Sequence, residues 1–475
     1  MHIFPPFQRQ AALCLALAWA LLAVLSPWPA DCNAKPAREA AKPIYKGQRQ
    51  PVDHRKDKLP AAPLGMQQAV ERALGHSPSL GSQEAQSRAS EEARKSTIGA
   101  FGPKLGMTYS AIKQERKTEP ASTRAAEYGT YSWGVEVSQP VFQGFRLLAN
   151  YQKAALQADS DLAALRNAEL STTQQVQAEF LACLAAEELV KSETESLGRL
   201  RDQLRITQAF HEVGLRPKLD VLQAEVDVSQ AENVVIQAEN TRDTAYAKLN
   251  TLLGFPAEAR LTYVGQLKYV PFGKSLESCL KTAYAKRPDL YVANKAVEIA
   301  KKDQTLAQSG YYPRIEAYYN INQRGNTPDL QIKGNNGSRS STWEVGVTAS
   351  WDVFQWGVTW FDDKRAGWLV TKMRQEEENL KLNVGYEIKS RFLALREAEK
   401  RIGVAEKGVA QAREAYQAAL ARYQEQVGTN FDVLDASSNL NRAQASLTSS
   451  RADYLTALSQ LYYAMGEFHP DLLKP

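Results

Sequence analysis

"GTNFDVLDA" (428–436) and "RPKLDVLQA" (216–224) carry one D-V-L-x-A phrase, and their aspartates Asp432 and Asp220 stand 432−220 = 212 residues apart. Both stretches read as helix starts, with Asn430 the expected N-cap of the second. A carboxylate in a first helical turn offsets the helix dipole whatever its function. The echo extends over most of the chain. "HSPSL" (76–80) answers "KRPDL" (286–290), and "GAFGPKLGMTY" (99–109) answers "SGYYPRIEAYY" (309–319). "VFQG" (141–144) is matched by "VFQWG" (353–357), and "LLGF" (252–255) by "AMGEF" (464–468). Each half therefore reads helix, strand, strand, long helix, turn, return helix. The chain is two tandem copies of one architecture.

The helical parts show a seven-residue period. Val433, Leu440, Leu447, Tyr454 and Leu461 recur at that spacing, with Ala436, Ala443, Ser450, Ala457 and Ala464 three residues after each. Alternating large and small residues let a neighbouring helix approach closely. Val221, Val228, Val235 and Leu249 keep the same register in the first copy, with Ala224, Ala231, Ala238 and Ala245. The long helices repeat it through Val176, Cys183, Val190, Leu197 and Leu204, and through Ile388, Leu395, Ile402, Val409 and Tyr416. Residues 145–210 contain no proline and would make a helix ~100 Å long. The return helix 218–253 covers about half of that length. The segment 78–99, with its short leader 64–75, is the candidate for the other half, which gives two half-length helices laid end to end against one long one.

A polar stripe runs beside the apolar seam. It comprises Asp432, Asp435, Asn439, Arg442, Ser446, Ser449, Asp453, Thr456 and Gln460, all at three- and four-residue spacing. Asp220, Gln223, Asp227, Gln230, Gln237, Thr241, Thr244 and Lys248 repeat it upstream. Such a stripe is either the solvated outside of a bundle or the lining of a water-filled interior, and the strands decide between them. In "TWEVGVTASWDVF" (342–354) the residues Trp343, Val345, Val347, Ala349, Trp351 and Val353 take every second place. "YSWGVEVSQPVF" alternates likewise through Tyr131, Trp133, Val135 and Val137. "KLGMTYSAI" and "RIEAYYNI" begin their partner strands. Alternation over about ten residues with aromatics near the ends is the signature of transmembrane β-strands. Four strands cannot close a barrel, and open edges are not tolerated in lipid, so several copies must pool their strands.

The N-terminus looks like an export signal. Arg9 precedes the apolar run 11–25, and "CNA" (32–34) offers small residues for cleavage after Ala34. The "PAD" before Cys32 makes a poor lipobox. Nothing beyond residue 34 has the run of apolar residues a transmembrane helix needs. Residues 35–58 hold eight Lys/Arg and three Asp/Glu, which accounts for the whole net charge of +5. The expected organisation is a signal peptide at 1–34, a disordered basic linker at 35–63, a first repeat at 64–269 and a second at 270–475. No basic face is left for nucleic acid. Cys183 and Cys279 lack CxxC spacing and read as packed thiols. The five histidines are scattered, and no metal, nucleophile or phosphate-loop motif appears, so neither an enzyme nor a cofactor is expected.

These residues resemble the TolC-like outer-membrane efflux and secretion ducts, from about residue 64 to 466. The most specific stretch is "RYQEQVGTNFDVLDA" (422–436) with its alanine-spaced heptads. The resemblance implies a mainly α fold with a transmembrane β part. It implies a homotrimer whose subunits give four strands each to a shared twelve-stranded barrel, above an α-helical barrel reaching into the periplasm. It further implies an exit duct in the outer membrane, working with a periplasmic adaptor (membrane fusion) protein and an inner-membrane pump of RND or ABC type. The family's pore constriction at the periplasmic tip falls on Asp432 and Asp435, with Asp220 as first-repeat partner. The family's latching arginine ahead of the phrase is missing from Val427-Gly428-Thr429-Asn430. The competing expectation is a periplasmic coiled-coil structural or adaptor protein, which would carry one helical hairpin rather than a duplicated set with alternating strands.

Overall fold

Prolines and glycines set the punctuation of the chain. The computed structural model describes residues 42–47, 49, 63–116, 126–330 and 340–473. The expected signal peptide and most of the expected linker lie outside them. Helix α1 (Met66–His76) ends one residue before α2 (Pro78–Gly99), whose first position is a proline. A proline there lacks an N–H that would have no helical partner anyway, and it cannot continue the preceding helix. Strands β1 (Lys104–Arg116) and β2 (Ala126–Gln143) follow, then α3 (Arg146–Glu212) and α4 (Lys218–Leu252). The second copy repeats the order as α5 (Leu276–Lys286), α6 (Pro288–Gln308), β3 (Arg314–Gly325), β4 (Ser340–Ser350), α7 (Val358–Gln424) and α8 (Asn430–Ala464).

The duplication is kept to the residue in the long and return helices. Helices α3 and α7 both have 67 residues, and α4 and α8 both have 35. At both strand-to-helix joints two successive residues take left-handed backbone, Gly144 (φ +59) and Phe145 (φ +65), then Trp356 (φ +50) and Gly357 (φ +81). A side chain at Gly144 would also meet the Ser309 carbonyl at 2.6 Å, so glycine is required there on two counts. Phe142, Phe145 and Tyr312 close this joint with edge-to-face ring contacts at 5.5, 5.6 and 6.4 Å between centroids.

Each long helix is covered by two short ones, as the lengths require. Helix α3 packs against α2 along its first half, where Ser90 donates to Asp161, and against α4 along its second half, where Arg201 pairs with Glu232. Helix α7 does the same with α6 and α8. The repeats join where α3 packs on α6 and α8. The main apolar cluster lies where the helix ends meet, around Leu74, Leu80, Phe180, Leu249, Ile388, Leu455 and Leu461. Cys183 belongs to it, fully buried and unpaired, and burial pushes its thiol up to about 12. That is a packed thiol, not a reactive one.

The heptad seam is the packed face. Val433, Leu440, Tyr454 and Leu461 are buried with Ala436, Ser450 and Ala464, as are Val221, Ala224, Ala238 and Leu249 in the first copy. The polar stripe lies open: Asp432, Asp435, Asn439, Arg442, Ser446, Ser449 and Asp453 are all exposed. Replacing Ala238 or Ala443 by leucine should overpack the seam by about 1–3 kcal/mol and lower the melting temperature. Ser446→Leu on the stripe should hardly move it. If Ser446→Leu were the most damaging of the three, the faces would be reversed.

Candidate functional site: the apolar sheet face and the paired helix turns

Pairing register turns the four alternating strands into one continuous surface. The sheet runs β1-β2-β3-β4, antiparallel throughout. Directly paired residues put their side chains on the same face. Leu105, Val137, Tyr319 and Val345 therefore form one row across all four strands, and Met107, Val135, Ile321 and Trp343 form the next. On the opposite face Gly106, Glu136, Asn320 and Glu344 make a polar row, with Thr108, Gly134, Asn322 and Thr342 beside it. The apolar rows have nothing over them: Leu105 is 76% exposed, Met107 68%, Trp343 65% and Val345 68%. Leaving such side chains in water forgoes about 1.5–3 kcal/mol each, so the face is built for an apolar surrounding.

The sequence alternation overshoots at one end. Trp351 and Val353 continue the pattern, yet β4 stops at Ser350. The Trp351 indole instead donates to the Tyr311 carbonyl at 3.2 Å, so it tethers the chain leaving the sheet. At the same end of β2, a bulge lets Val141 stand unpaired between Pro140 and Phe142. Proline has no N–H for the ladder, and bulges are where sheets accept it.

The helix turns at the far ends of α3 and α7 are copies. Gly214 N–H donates to His211 O at 2.9 Å and Leu215 N–H to Phe210 O at 2.8 Å. The same bonds recur 212 residues on, from Gln426 to Tyr423 at 3.1 Å and from Val427 to Arg422 at 2.9 Å. Gly214 (φ +80) and Gln426 (φ +62) take the left-handed position that ends each helix. Helices α4 and α8 then start, and Asp220 and Asp432 are the third residue of each.

The second start differs from the sequence expectation. The N-cap is Thr429, not Asn430. Thr429 accepts from the Asp432 amide at 3.2 Å, while the Asp432 carboxylate accepts from the Thr429 amide at 3.0 Å, a reciprocal capping box. The Thr429 amide bond, more than its hydroxyl, holds the Asp432 carboxyl below the usual range. Asn430 turns inward, and its side-chain oxygen accepts from Gln203 at 2.7 Å. Asp435 is exposed one turn on and accepts from Asn439 at 3.0 Å. Asp220 is partly covered, with the Arg216 guanidinium 4.0 Å away.

An arginine does bind at this end, from the other turn. Arg216 donates to the Gly428 carbonyl at 2.8 Å and lies over the Tyr423 ring at 4.9 Å. Tyr423 is fully buried, with its hydroxyl 3.0 Å from that of Thr207. The signal for Arg216 was legible: it stands four residues ahead of the first aspartate of the repeated phrase. Only the second copy of the phrase lacks an arginine.

The sequence matches the profile of the outer membrane efflux protein family over residues 69–255 and 279–467. The outer membrane protein TolC of Vibrio cholerae is 25% identical over 83% of this chain and 89% of its own length. The alkaline protease secretion protein AprF of Pseudomonas aeruginosa is 22% identical, over 85% of this chain and 84% of its own. The outer membrane channel CmeC of Campylobacter jejuni has the same fold, with a TM-score of 0.74 at 15% identity over 84% of this chain and 85% of that one. VceC of Vibrio cholerae gives 0.71 at 17% identity, over 85% and 96%.

Two measurements test these surfaces. Fluorescent labels on cysteines placed at Val345 and Val347 should be quenched by lipid-soluble quenchers, and labels at Glu344 and Gly346 should not. At the turns, Arg216→Ala should speed amide exchange at 428–432, since a charge-assisted bond and a stacking contact worth about 1–3 kcal/mol are lost.

Proposed function

Because this chain belongs to the outer membrane efflux protein family, we propose how its surfaces assemble into the exit duct. The protein is an outer-membrane duct of efflux or secretion type. The proposal is that three copies pool their strands into a twelve-stranded barrel and their helices into one tunnel wall. One observation carries it: the sheet offers lipid an apolar face across all four strands, yet ends in two unpaired edges at β1 and β4. In hydrocarbon those edges need partners, and another copy's β4 and β1 supply them.

The helices support the same assembly. Within the chain α3 packs on α6 and α8, the next repeat's short helices. Its counterpart α7 has no comparable packing on α2 or α4. Instead it shows solvent Trp368, Leu382, Tyr386 and Val404, each more than 70% exposed, while α4 shows Leu219 and Val226. By the repeat, α7 of one copy takes α2 and α4 of the next. The unpaired faces of both partners are apolar, as that contact requires.

In this arrangement the polar stripes of α4 and α8 line the bore, and passage rather than catalysis is the role. Asp435 and Asp432 would gather in threes at the periplasmic end, with Asp220 behind them. A ring of carboxylates held close attracts cations. Asp432 has a capping duty as well, so Asp435, which has none, carries more of the constriction. The partners of such a duct are a periplasmic adaptor and an inner-membrane pump. Single-channel recording in planar bilayers tests the ring. Trivalent cations added from the periplasmic side should block the wild type, and Asp432→Ala with Asp435→Ala should relieve the block in an intact trimer. An equally strong block in that double variant would leave both aspartates as helix-start residues. A monomer in mild detergent would overturn the assembly itself.

A further inference from the structure

The stretch ahead of the first repeat is basic and rich in proline, yet part of it is held by a buried receptor. The amides of Ile44 and Tyr45 both donate to the Glu169 carboxylate on α3, at 2.5 and 3.4 Å. The Arg49 guanidinium reaches the same carboxylate, donates to Glu84 on α2 at 2.5 Å, and gives its third contact to the Leu74 carbonyl on α1 at 3.1 Å. Glu169 is fully buried and the Arg49 side chain is 7% exposed. Arg166 donates to the Lys42 carbonyl at 2.9 Å, and Ile44 and Tyr45 pack on the main apolar cluster. The Tyr45 ring lies so close over α1 that a side chain at Gly75 would meet its hydroxyl at 2.9 Å.

The repeat shows what these contacts are for. In the second copy the joint between the two half-length helices is held by Arg287, which sits in the joint itself. Arg287 donates to Asp289 on α6 at 2.6 Å, to Glu387 on α7 at 2.6 Å and to the Ala464 carbonyl at 3.1 Å. One guanidinium thus ties a half-length helix, the long helix and a helix-end carbonyl. In the first copy the matching position, 287−210 = 77, is Ser77, which has no charge to give. Arg49 contacts a half-length helix and the long helix in the same way from outside the repeat, with its third bond going to the Leu74 carbonyl of α1 rather than to the return helix. The receptor is likewise confined to the first copy: 169+212 = 381 is a lysine, which pairs with Glu377 and Glu378 of its own helix and would repel an arginine.

We propose that the segment from Lys42 to Arg49 is a clasp, docked on Glu169, that ties α1, α2 and α3 of the first repeat through a guanidinium that position 77 does not supply. The acceptor is a site for a guanidinium and two backbone amides of one peptide, and its occupant is this chain's own N-terminal segment. Without the clasp Glu169 is a buried carboxylate with no cation, a state more damaging than never having had the pair. This inference is independent of the duct reading, since it concerns contacts within one subunit.

Trypsin tests it on the full exported chain in detergent. Lys46–Gly47 and Arg49–Gln50 are cleavable bonds, whereas Lys42–Pro43 is refractory because proline follows. Both bonds should be cut slowly in the wild type, as followed by mass spectrometry of the peptide spanning residues 39–55, so that cuts at Arg55, Lys56 or Lys58 do not mask the result. Glu169→Ala should raise cleavage at both more than about tenfold, because loss of a buried pair shifts local opening by at least that factor. Lys381→Ala, the matching change in the second repeat, should leave the rates alone. If Glu169→Ala does not fold, Arg49→Ala with Glu169→Gln leaves no unpaired charge, and cleavage at Lys46–Gly47 alone gives the answer. Wild type cut at these bonds as fast as either variant would overturn the clasp.

Discussion

A backbone amide in hydrocarbon has no water to turn to, and that constraint organises the rest of this molecule. It demands that the four strands find eight satisfied edges, although one chain can satisfy only the inner six. It also sets the direction of the side chains. Leu105, Val137, Tyr319 and Val345 lie in one row because register, once fixed by pairing, carries every alternating residue to the same side. A slip of one residue in β2 would send Glu136 to the apolar face, and one in β4 would send Glu344 there. The polar row opposite is therefore a register lock.

The duplication obeys a second constraint, which is that helices tolerate no change of length and loops do. The short helices and the first strand of each copy are offset by 210 residues (Met66 to Leu276, Pro78 to Pro288), whereas the long helices are offset by 212 (Arg146 to Val358, Lys218 to Asn430). The two extra residues enter in the hairpin between β3 and β4 and its exit, where no heptad seam has to be kept. From Gly214 and Gln426 onward even the turn hydrogen bonds are conserved in place. A glutamine in left-handed backbone costs about 1–2 kcal/mol, so the seam between α7 and α8 dictates the turn and the side chain conforms.

This distinction also explains what was legible in the sequence. Helix ends fell within a residue or two of expectation, because period and proline report local geometry that packing then confirms. The apolar strand faces were equally visible as alternation, although Trp351 shows that alternation does not know where pairing stops. The tip is less legible. Thr429 rather than Asn430 caps α8, since both side chains suit a cap and only Gln203, 227 residues away in sequence, decides which one turns inward. The contacts of Arg216 and Arg49 are hidden in the sequence for the same reason. Each acts on a partner in another element, and composition describes Arg49 as linker because nothing nearby in sequence names Glu169.

The mean hydropathy of −0.43 is low for a protein that lives in a membrane. The fold accounts for it. In the proposed duct only the sheet meets lipid, and only with one of its faces. There the helices make a wall one layer thick, with water on the side of the polar stripe and water again on the outside. Such a wall has no interior in the ordinary sense: its core is the seam between neighbouring helices. A seam that narrow cannot gain stability from breadth, so it must gain it from closeness, which is what alanine three residues after each large residue provides. Where the half-length helices meet, the seam is interrupted and closeness is lost. Those joints are where the apolar cluster is deepest and where the buried guanidinium groups of Arg49 and Arg287 are found, ionic ties placed at the two points the heptads cannot cover.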